Sequence, residues 1–216
     1  MSTKINTNFW KNKKVFVTGH TGFKGSWLCI ILNLLGAKIT GYALKPKSNP
    51  NLFNLAKIGN IIDKSIIADV RDFKRLHKEI KKSNSTILFH LAAQPLVRYS
   101  YLEPKETFDT NFNGTLNILE CVRKYSSKSI FIYLSTNKVY GDNPNKLKLK
   151  EKKLRWEIND TKYNKGIDEN FSLDNCTHSF FGVSKVYSDL ITQEYGKNNK
   201  LNTGIFRAGC ITGPNH

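Results

Sequence analysis

One eight-residue stretch, Thr18-Gly19-His20-Thr21-Gly22-Phe23-Lys24-Gly25, restricts the possible folds more than anything else in the chain. It follows the apolar run Val15-Phe16-Val17, which reads as a buried parallel strand. It leads into an apolar pattern over Ser26–Leu35 that reads as a helix closed by Gly36. A TGxxGxxG turn between a strand and a helix is the fingerprint of a dinucleotide-binding crossover. Gly19 makes the tight turn, Gly22 lets the backbone approach a diphosphate, and Gly25 permits close helix–strand packing. The anion then sits at a helix N-terminus, where free N–H groups and the helix dipole favour it. Gly19, Thr21, Gly22, Phe23 and Gly25 are the candidate cofactor contacts of this loop.

The remaining pattern extends the same unit. Strands are expected at Lys38–Ala43, Ile66–Val70, Thr86–Leu91, Ser129–Ser135 and Asn202–Arg207. Helices are expected at Asn51–Ile58, Phe73–Lys82, Lys105–Tyr125 and His178–Lys197. Regular alternation implies an α/β fold, a doubly wound parallel-sheet Rossmann domain covering residues 1–216, with ligands beyond the carboxyl ends of the strands. The charged, aperiodic stretch 143–174 is longer than an ordinary connection and reads as a partly ordered active-site insertion.

An acidic residue about 20 positions beyond the loop ordinarily holds the adenosine ribose. The second strand instead ends Gly41-Tyr42-Ala43-Leu44-Lys45, so this rule does not choose between NAD and NADP. Lys45 meets a 2′-phosphate or is simply solvated. Asp69, followed by Val70, is placed to meet an adenine or to cap the next helix. Leu91, Ala92, Ala93 and Gln94 follow the fourth strand and complete the candidate cofactor set.

Formal net charge is +17. The lysines are scattered and no nucleic-acid module motif is present, so a specific nucleic-acid partner is not expected. The longest apolar stretch, Trp27–Ala37, is too short to span a bilayer, and the polar start Met1–Lys14 lacks the apolar core of a signal peptide. No membrane partner and a cytoplasmic location are therefore expected. Cys29, Cys121, Cys176 and Cys210 form no CxxC or Cys/His cluster, so no metal site is expected, and Cys29 and Cys121 read as small core residues.

The glycine spacing, His90-Leu91-Ala92-Ala93-Gln94, Asn111, Ser135-Thr136 and Ser184-Lys185 together resemble the extended short-chain dehydrogenase/reductases, the NAD-dependent epimerases and dehydratases. Phe9 to Arg123 resembles the CDP-glucose 4,6-dehydratases through Val17–Leu28, Gly41–Leu44, His90–Arg98 and Glu106-Thr107-Phe108. Ser135 to His216 resembles the CDP-tyvelose (CDP-paratose) 2-epimerase-like proteins. It does so through Ser135–Asp142, Gly166-Ile167-Asp168-Glu169, His178-Ser179 and Thr212–His216. The resemblance implies NAD as cofactor, a CDP-sugar substrate and a homodimer formed through the two long helices. It also implies a C-terminal sugar-binding region that is missing or truncated after His216.

Chemistry in such enzymes pairs a tyrosine base with a lysine four residues on, and a Ser or Thr after the fifth strand. By resemblance Lys185 is that lysine and Thr136 that hydroxyl. Position 181 is Phe181, which carries no exchangeable proton, and Tyr187 lies past the lysine. Where the dehydratases carry an aspartate, this chain has Asn137, which donates no acidic proton and favours epimerisation; Lys138 is retained. The catalytic candidates are Thr136, Asn137, Lys138, Phe181 and Lys185. His178 reads as a cap or surface residue, or as a recruited base. Two readings follow: transient hydride transfer to bound NAD, or a catalytically silent NAD-binding fragment.

Overall fold

The computed structural model describes residues 5–216; Met1–Lys4, the first part of the polar N-terminus, lie outside the described residues. In chain order the elements are α1 (Thr7–Trp10), β1 (Lys14–Thr18), α2 (Phe23–Leu34), β2 (Lys38–Ala43), α3 (Leu52–Leu55) and α4 (Ile58–Ile61). Next come β3 (Lys64–Ile67), α5 (Phe73–Ser83), β4 (Ile87–His90), α6 (Val97–Leu102), α7 (Pro104–Phe108) and α8 (Gly114–Tyr125). After β5 (Ile130–Thr136), a small hairpin of β6 (Leu149–Glu151) and β7 (Trp156–Ile158) precedes α9 (Phe180–Lys197) and β8 (Asn202–Ala208).

Six strands form one parallel sheet in the order β3-β2-β1-β4-β5-β8. The order reverses between β1 and β4, and that is the crevice where doubly wound sheets bind ligands. Strand side chains alternate between two cores. Phe16, Tyr42, Leu88, Phe131 and Tyr133 pack with Leu76 and Ile80 of α5 and Ile118, Leu119 and Val122 of α8. Val15, Val17, Ile39 and Ile87 pack on the other face with Cys29 and Leu32 of α2 and with Ile58 and Ile62. Cys29 and Cys121 lie fully buried in these two cores. Beside α2, over β4, β5 and β8, lies an apolar groove of about 390 Å³ edged by residues 211–214, with Phe206 59% exposed.

Several elements differ from the sequence reading, each for a local reason. The helix expected over Asn51–Ile58 is two single turns, because Lys57 takes a left-handed conformation (φ 49°) between them. The expected helix Lys105–Tyr125 runs as α7, a π-turn over Asp109–Asn113 and α8. Such a bulge places an extra residue in the turn and is often found at functional sites. The third strand ends at Ile67, before Asp69. The last long helix starts at Phe180, with Ser179 as its N-cap accepting a hydrogen bond from the Gly182 amide. His178 is therefore not the cap. The insertion 143–174 contributes a short 3₁₀ turn and the hairpin, and its root packs as a small cluster around Val139, Tyr140 and Phe171.

Candidate active site

The carboxyl ends of β1, β4 and β5 converge beside the N-terminus of α2. The α1, α3, α5 and α9 N-termini are each capped by a side chain, from Asn6, Asn51, Asp72 and Ser179. Helix α2 has Gly22 at its N-cap and, like α4, α6, α7 and α8, no side-chain cap. Its leading amides thus face the crevice without a protein side chain to accept from them, which is the arrangement that receives an anion. Two glycines enforce the closeness. Gly19 has φ 75°, and a Cβ there would approach the Ala92 amide nitrogen to 2.8 Å. A Cβ on Gly25 would fall on the Gly19 carbonyl, with its carbon 2.7 Å away. Only glycine lets α2 start this close to the turn. A narrow backbone cradle of this kind fits a dinucleotide diphosphate.

Beneath the cradle runs a buried polar chain that the sequence reading did not assemble. His90 is fully buried, with Nδ1 2.7 Å from Thr18 Oγ1 and Nε2 2.9 Å from Thr115 Oγ1. Thr115 donates its own hydroxyl proton to Asn111 O at 2.6 Å, so His90 Nε2–H must donate to Thr115. Nδ1 is then an acceptor, Thr18 donates to it, and the Thr18 oxygen accepts from the Leu91 and Ala92 amides, both at 3.1 Å. The tautomer is fixed by the network. Burial, with Lys185 nearby, pushes the His90 pKa down to about 3, which keeps the ring neutral. Asn111 continues the chain. It accepts from the Gln94 amide at 2.7 Å and donates to Gln94 O at 3.1 Å and to Ser184 Oγ at 2.9 Å. The floor at Leu91-Ala92 is thus tied to helix α9. A polar residue at the inward end of both β1 and β4 was the available sequence signal.

The other candidates fall as follows. The Thr21 hydroxyl donates to Leu44 O at 2.7 Å, pinning the loop to the end of β2. His20 is buried against Gly41, with Nε2 2.8 Å from Ser65 Oγ, and burial lowers its pKa to about 4. The Gln94 side chain is taken up by Thr107 Oγ1, Leu96 O and the Leu96 amide, so it shapes the loop from within. Asp69 accepts from the Arg71 amide at 2.8 Å and from its guanidinium. Burial raises the Asp69 pKa, but these bonds outweigh it and hold the carboxyl below its usual range. Asp72, not Asp69, caps α5. Val70 is buried in the core against Gly114.

At the end of β5, Thr136 accepts weakly from the Lys138 amide and donates to Asn137 Oδ1, both at 3.3 Å. Asn137 and Lys138 are exposed. Lys185 is buried, donates from Nζ to Leu134 O at 2.9 Å and lies 4.3 Å from the Tyr133 ring centroid. Burial first, and then the Lys24 charge, lower its pKa to about 7. Phe181 is buried one turn before it, its amide donating to Ser100 Oγ at 3.1 Å. His178 shares the Leu173 carbonyl with Cys176 and clips the loop beneath Gly141.

Behind Thr136, Asp189 forms a buried two-point pair with Arg207, Oδ1–Nη2 and Oδ2–Nε both at 3.0 Å. Ser135 and Gln193 also donate to this carboxylate, at 2.6 and 2.8 Å. Arg207 reaches on to Glu169 O at 3.1 Å, fastening the insertion to the sheet.

Comparison with known proteins agrees with this geometry. Residues 15–216 match the model of the NAD dependent epimerase/dehydratase family. The chain is 45% identical over 138 residues to CDP-glucose 4,6-dehydratase of Salmonella typhimurium, covering 64% of this chain and 38% of that protein. It is 34% identical over 202 residues to CDP-paratose 2-epimerase of Salmonella typhi, covering 93% of this chain and 58% of that protein. Among solved structures, dTDP-glucose 4,6-dehydratase from Bacillus anthracis in complex with NAD superposes with a TM-score of 0.70. It is 24% identical, with 94% of this chain and 56% of that chain covered. The chain therefore spans from about two-fifths to three-fifths of the length of these relatives. The chain belongs to the NAD dependent epimerase/dehydratase family.

Proposed function

We propose that this chain is a single NAD-binding Rossmann domain, residues 1–216, of a CDP-sugar-modifying enzyme of the reducing cytoplasm, and that its chemistry is epimerisation rather than dehydration. The observation that carries the reading is the uncapped start of α2 set against Gly19, where any side chain at position 25 would strike the turn. Amides from Gly22, Phe23 and Gly25 hold the diphosphate, with the Thr21-pinned loop behind them, while Leu91, Ala92 and Ala93 form the floor that Gln94 supports. Asp69 and Val70 border the adenine end. NAD bound there would supply a reversible hydride acceptor for a carbon of the sugar.

The chain's own groups divide the remaining work. Thr136 orients the sugar hydroxyl that reacts. Asn137, an amide in the place of an acid, supplies no proton to a departing hydroxide, so elimination is disfavoured. Lys138, exposed on the same turn, attracts the negative CDP-sugar. Phe181 closes the wall where a phenol would exchange a proton. Lys185, whose amine is poised near neutrality, is the titratable group left at that wall. Two copies pair through the helical run from α7 to α8 and through α9, where the exposed Tyr187 ring meets Phe112 of the π-turn at a tilt and Phe108 of α7 edge-on, with centroids 5.3 and 6.1 Å away.

Calorimetric titration with NAD and NADP, followed by incubation with CDP-glucose and CDP-paratose, tests this. NAD binding with conversion of CDP-paratose supports the proposal, and absence of heat with either nucleotide refutes it. Phe181 itself favours a second reading, a silent NAD-binding domain. If Phe181→Tyr creates turnover where the natural chain has none, the second reading holds.

A further inference from the structure

The hairpin β6–β7 plays no part in the site described above, and its surface has an unusual composition. Residues 146–165 carry eight cations, Lys146, Lys148, Lys150, Lys152, Lys153, Arg155, Lys162 and Lys165, against the three acids Glu151, Glu157 and Asp160. The tip is a tight turn, with the Lys152 amide donating to Arg155 O at 2.9 Å. Leu154, at that tip, is 92% exposed, and Trp156 beside it is 63% exposed. The register pairs Leu149 with Ile158 and Glu151 with Trp156, while Lys150 pairs with Glu157. Successive pairs face opposite sides of a ribbon. Leu149, Ile158 and Trp156 therefore share one face with Glu151 as its acid, and Lys150 lies on the other.

The charges are not used up within the hairpin. Glu157 takes Arg155 at 2.6 Å and Lys152 at 3.9 Å. Lys146 turns back to Asn143 and Asn175. Among the described residues, Lys148, Lys150 and Lys153 have no carboxylate partner. Among the described residues no large hydrophobic side chain is more exposed than Leu154.

We infer that this hairpin is a peripheral docking element that meets an anionic lipid surface tip first, with Leu154 and Trp156 entering the interface, Lys153 at the tip meeting the head groups, and Lys148 and Lys150 adding their charge from the opposite face of the ribbon. Tryptophan favours the level of the head groups, and cations near such a surface add their attraction independently of apolar burial. Nucleic acid suits this surface less well. A single tryptophan beside an aliphatic tip is not a row of stacking platforms, and a leucine has no π-face for a base. No helix among the described residues is long and apolar enough to cross a membrane, so the chain would lie on the bilayer. The hairpin springs from the segment after Thr136, and Arg207 ties that segment to the sheet. Docking therefore holds the strand ends, and the site they form, beside the membrane.

Vesicle sedimentation tests this, using vesicles of phosphatidylcholine alone and of equal parts phosphatidylcholine and phosphatidylglycerol, at low and raised salt. The protein should pellet with the anionic vesicles only, and less so at raised salt. The emission of Trp156 should shift to the blue on binding, a shift that Trp156→Phe removes. The triple variant Lys148→Gln, Lys150→Gln, Lys153→Gln should bind on the order of a hundredfold more weakly, from the contribution of each cation near such a surface. Leu154→Gln should weaken binding without changing its salt dependence. Circular dichroism and thermal melting establish that each variant is folded. Equal binding to neutral vesicles, no binding to anionic ones, or undiminished binding by the folded triple variant overturns the inference. So does tighter, lysine-dependent binding to a single-stranded oligonucleotide than to the anionic vesicles.

Discussion

Mild acid should destabilise this fold at a pH where its carboxylates are still ionised. His20 and His90 are both fully buried and neutral, with pKa values lowered to about 4 and about 3. In the unfolded chain each titrates near about 6.5. Between those values the unfolded state binds protons that the folded state refuses, so stability falls as pH falls through the window from about 6.5 downward. Between pH 7 and pH 5 the unfolded chain binds up to one more proton at each histidine than the folded chain does, and this difference integrated over the two pH units is about 1.4, or about 2 kcal/mol per histidine. The pair together costs about 4 kcal/mol, a large part of an ordinary domain's stability. Asp69, Asp189 and Glu120 have lowered pKa values and contribute their own loss only at more acid pH. Urea unfolding at pH 7 and pH 5, followed by circular dichroism, measures the effect. His20→Asn should cost stability at pH 7 and remove about half of the pH dependence. A free energy unchanged between pH 7 and 5, or a loss that begins only below pH 4, refutes the assignment of two neutral buried imidazoles.

Three further outcomes follow from the site. Lys185, lowered to about 7, should make stability rise by about 1.5 kcal/mol from pH 7 to 8.5, since the unfolded lysine stays charged there while the folded one loses its proton. Lys185→Met abolishes that rise in the same urea assay. Asp189→Asn leaves Arg207 buried without its carboxylate and should cost about 3–5 kcal/mol, read as a lower urea midpoint with an unchanged slope. Gly25→Ala drives a methyl group onto the Gly19 carbonyl and should cost about 1–3 kcal/mol while weakening nucleotide binding by calorimetry. The same substitution at Gly209, where a Cβ meets nothing within 4 Å, should leave both unchanged.

The parallel sheet and the cofactor crossover were legible in the sequence because their signals are local. A strand, a glycine turn and a helix start occupy about a dozen consecutive residues, and each glycine has a steric reason that composition alone reveals. Cys29 and Cys121 were readable as core residues for the same reason, through their place in apolar helical patterns. Element ends were less legible. Lys57 in its left-handed conformation and the π-turn at Asp109–Asn113 depend on how the neighbouring helices seat. The helix expected to start at His178 begins instead where the Ser179 hydroxyl meets the Gly182 amide. Asp69 offered two roles by sequence; the fold gave the cap to Asp72 and the Asp69 carboxylate to Arg71.

What tertiary structure alone decided is the wiring between distant residues. Thr18, His90, Asn111, Thr115 and Ser184 span most of the chain, yet one hydrogen-bonded path joins them and sets which nitrogen of His90 holds the proton. The amino-acid order specifies the donors and acceptors; only packing excludes water and forces those groups to satisfy one another. The same holds for Lys185, an ordinary lysine in sequence, whose amine approaches neutrality only because the closed sheet and helix α9 remove its solvent and set Lys24 beside it.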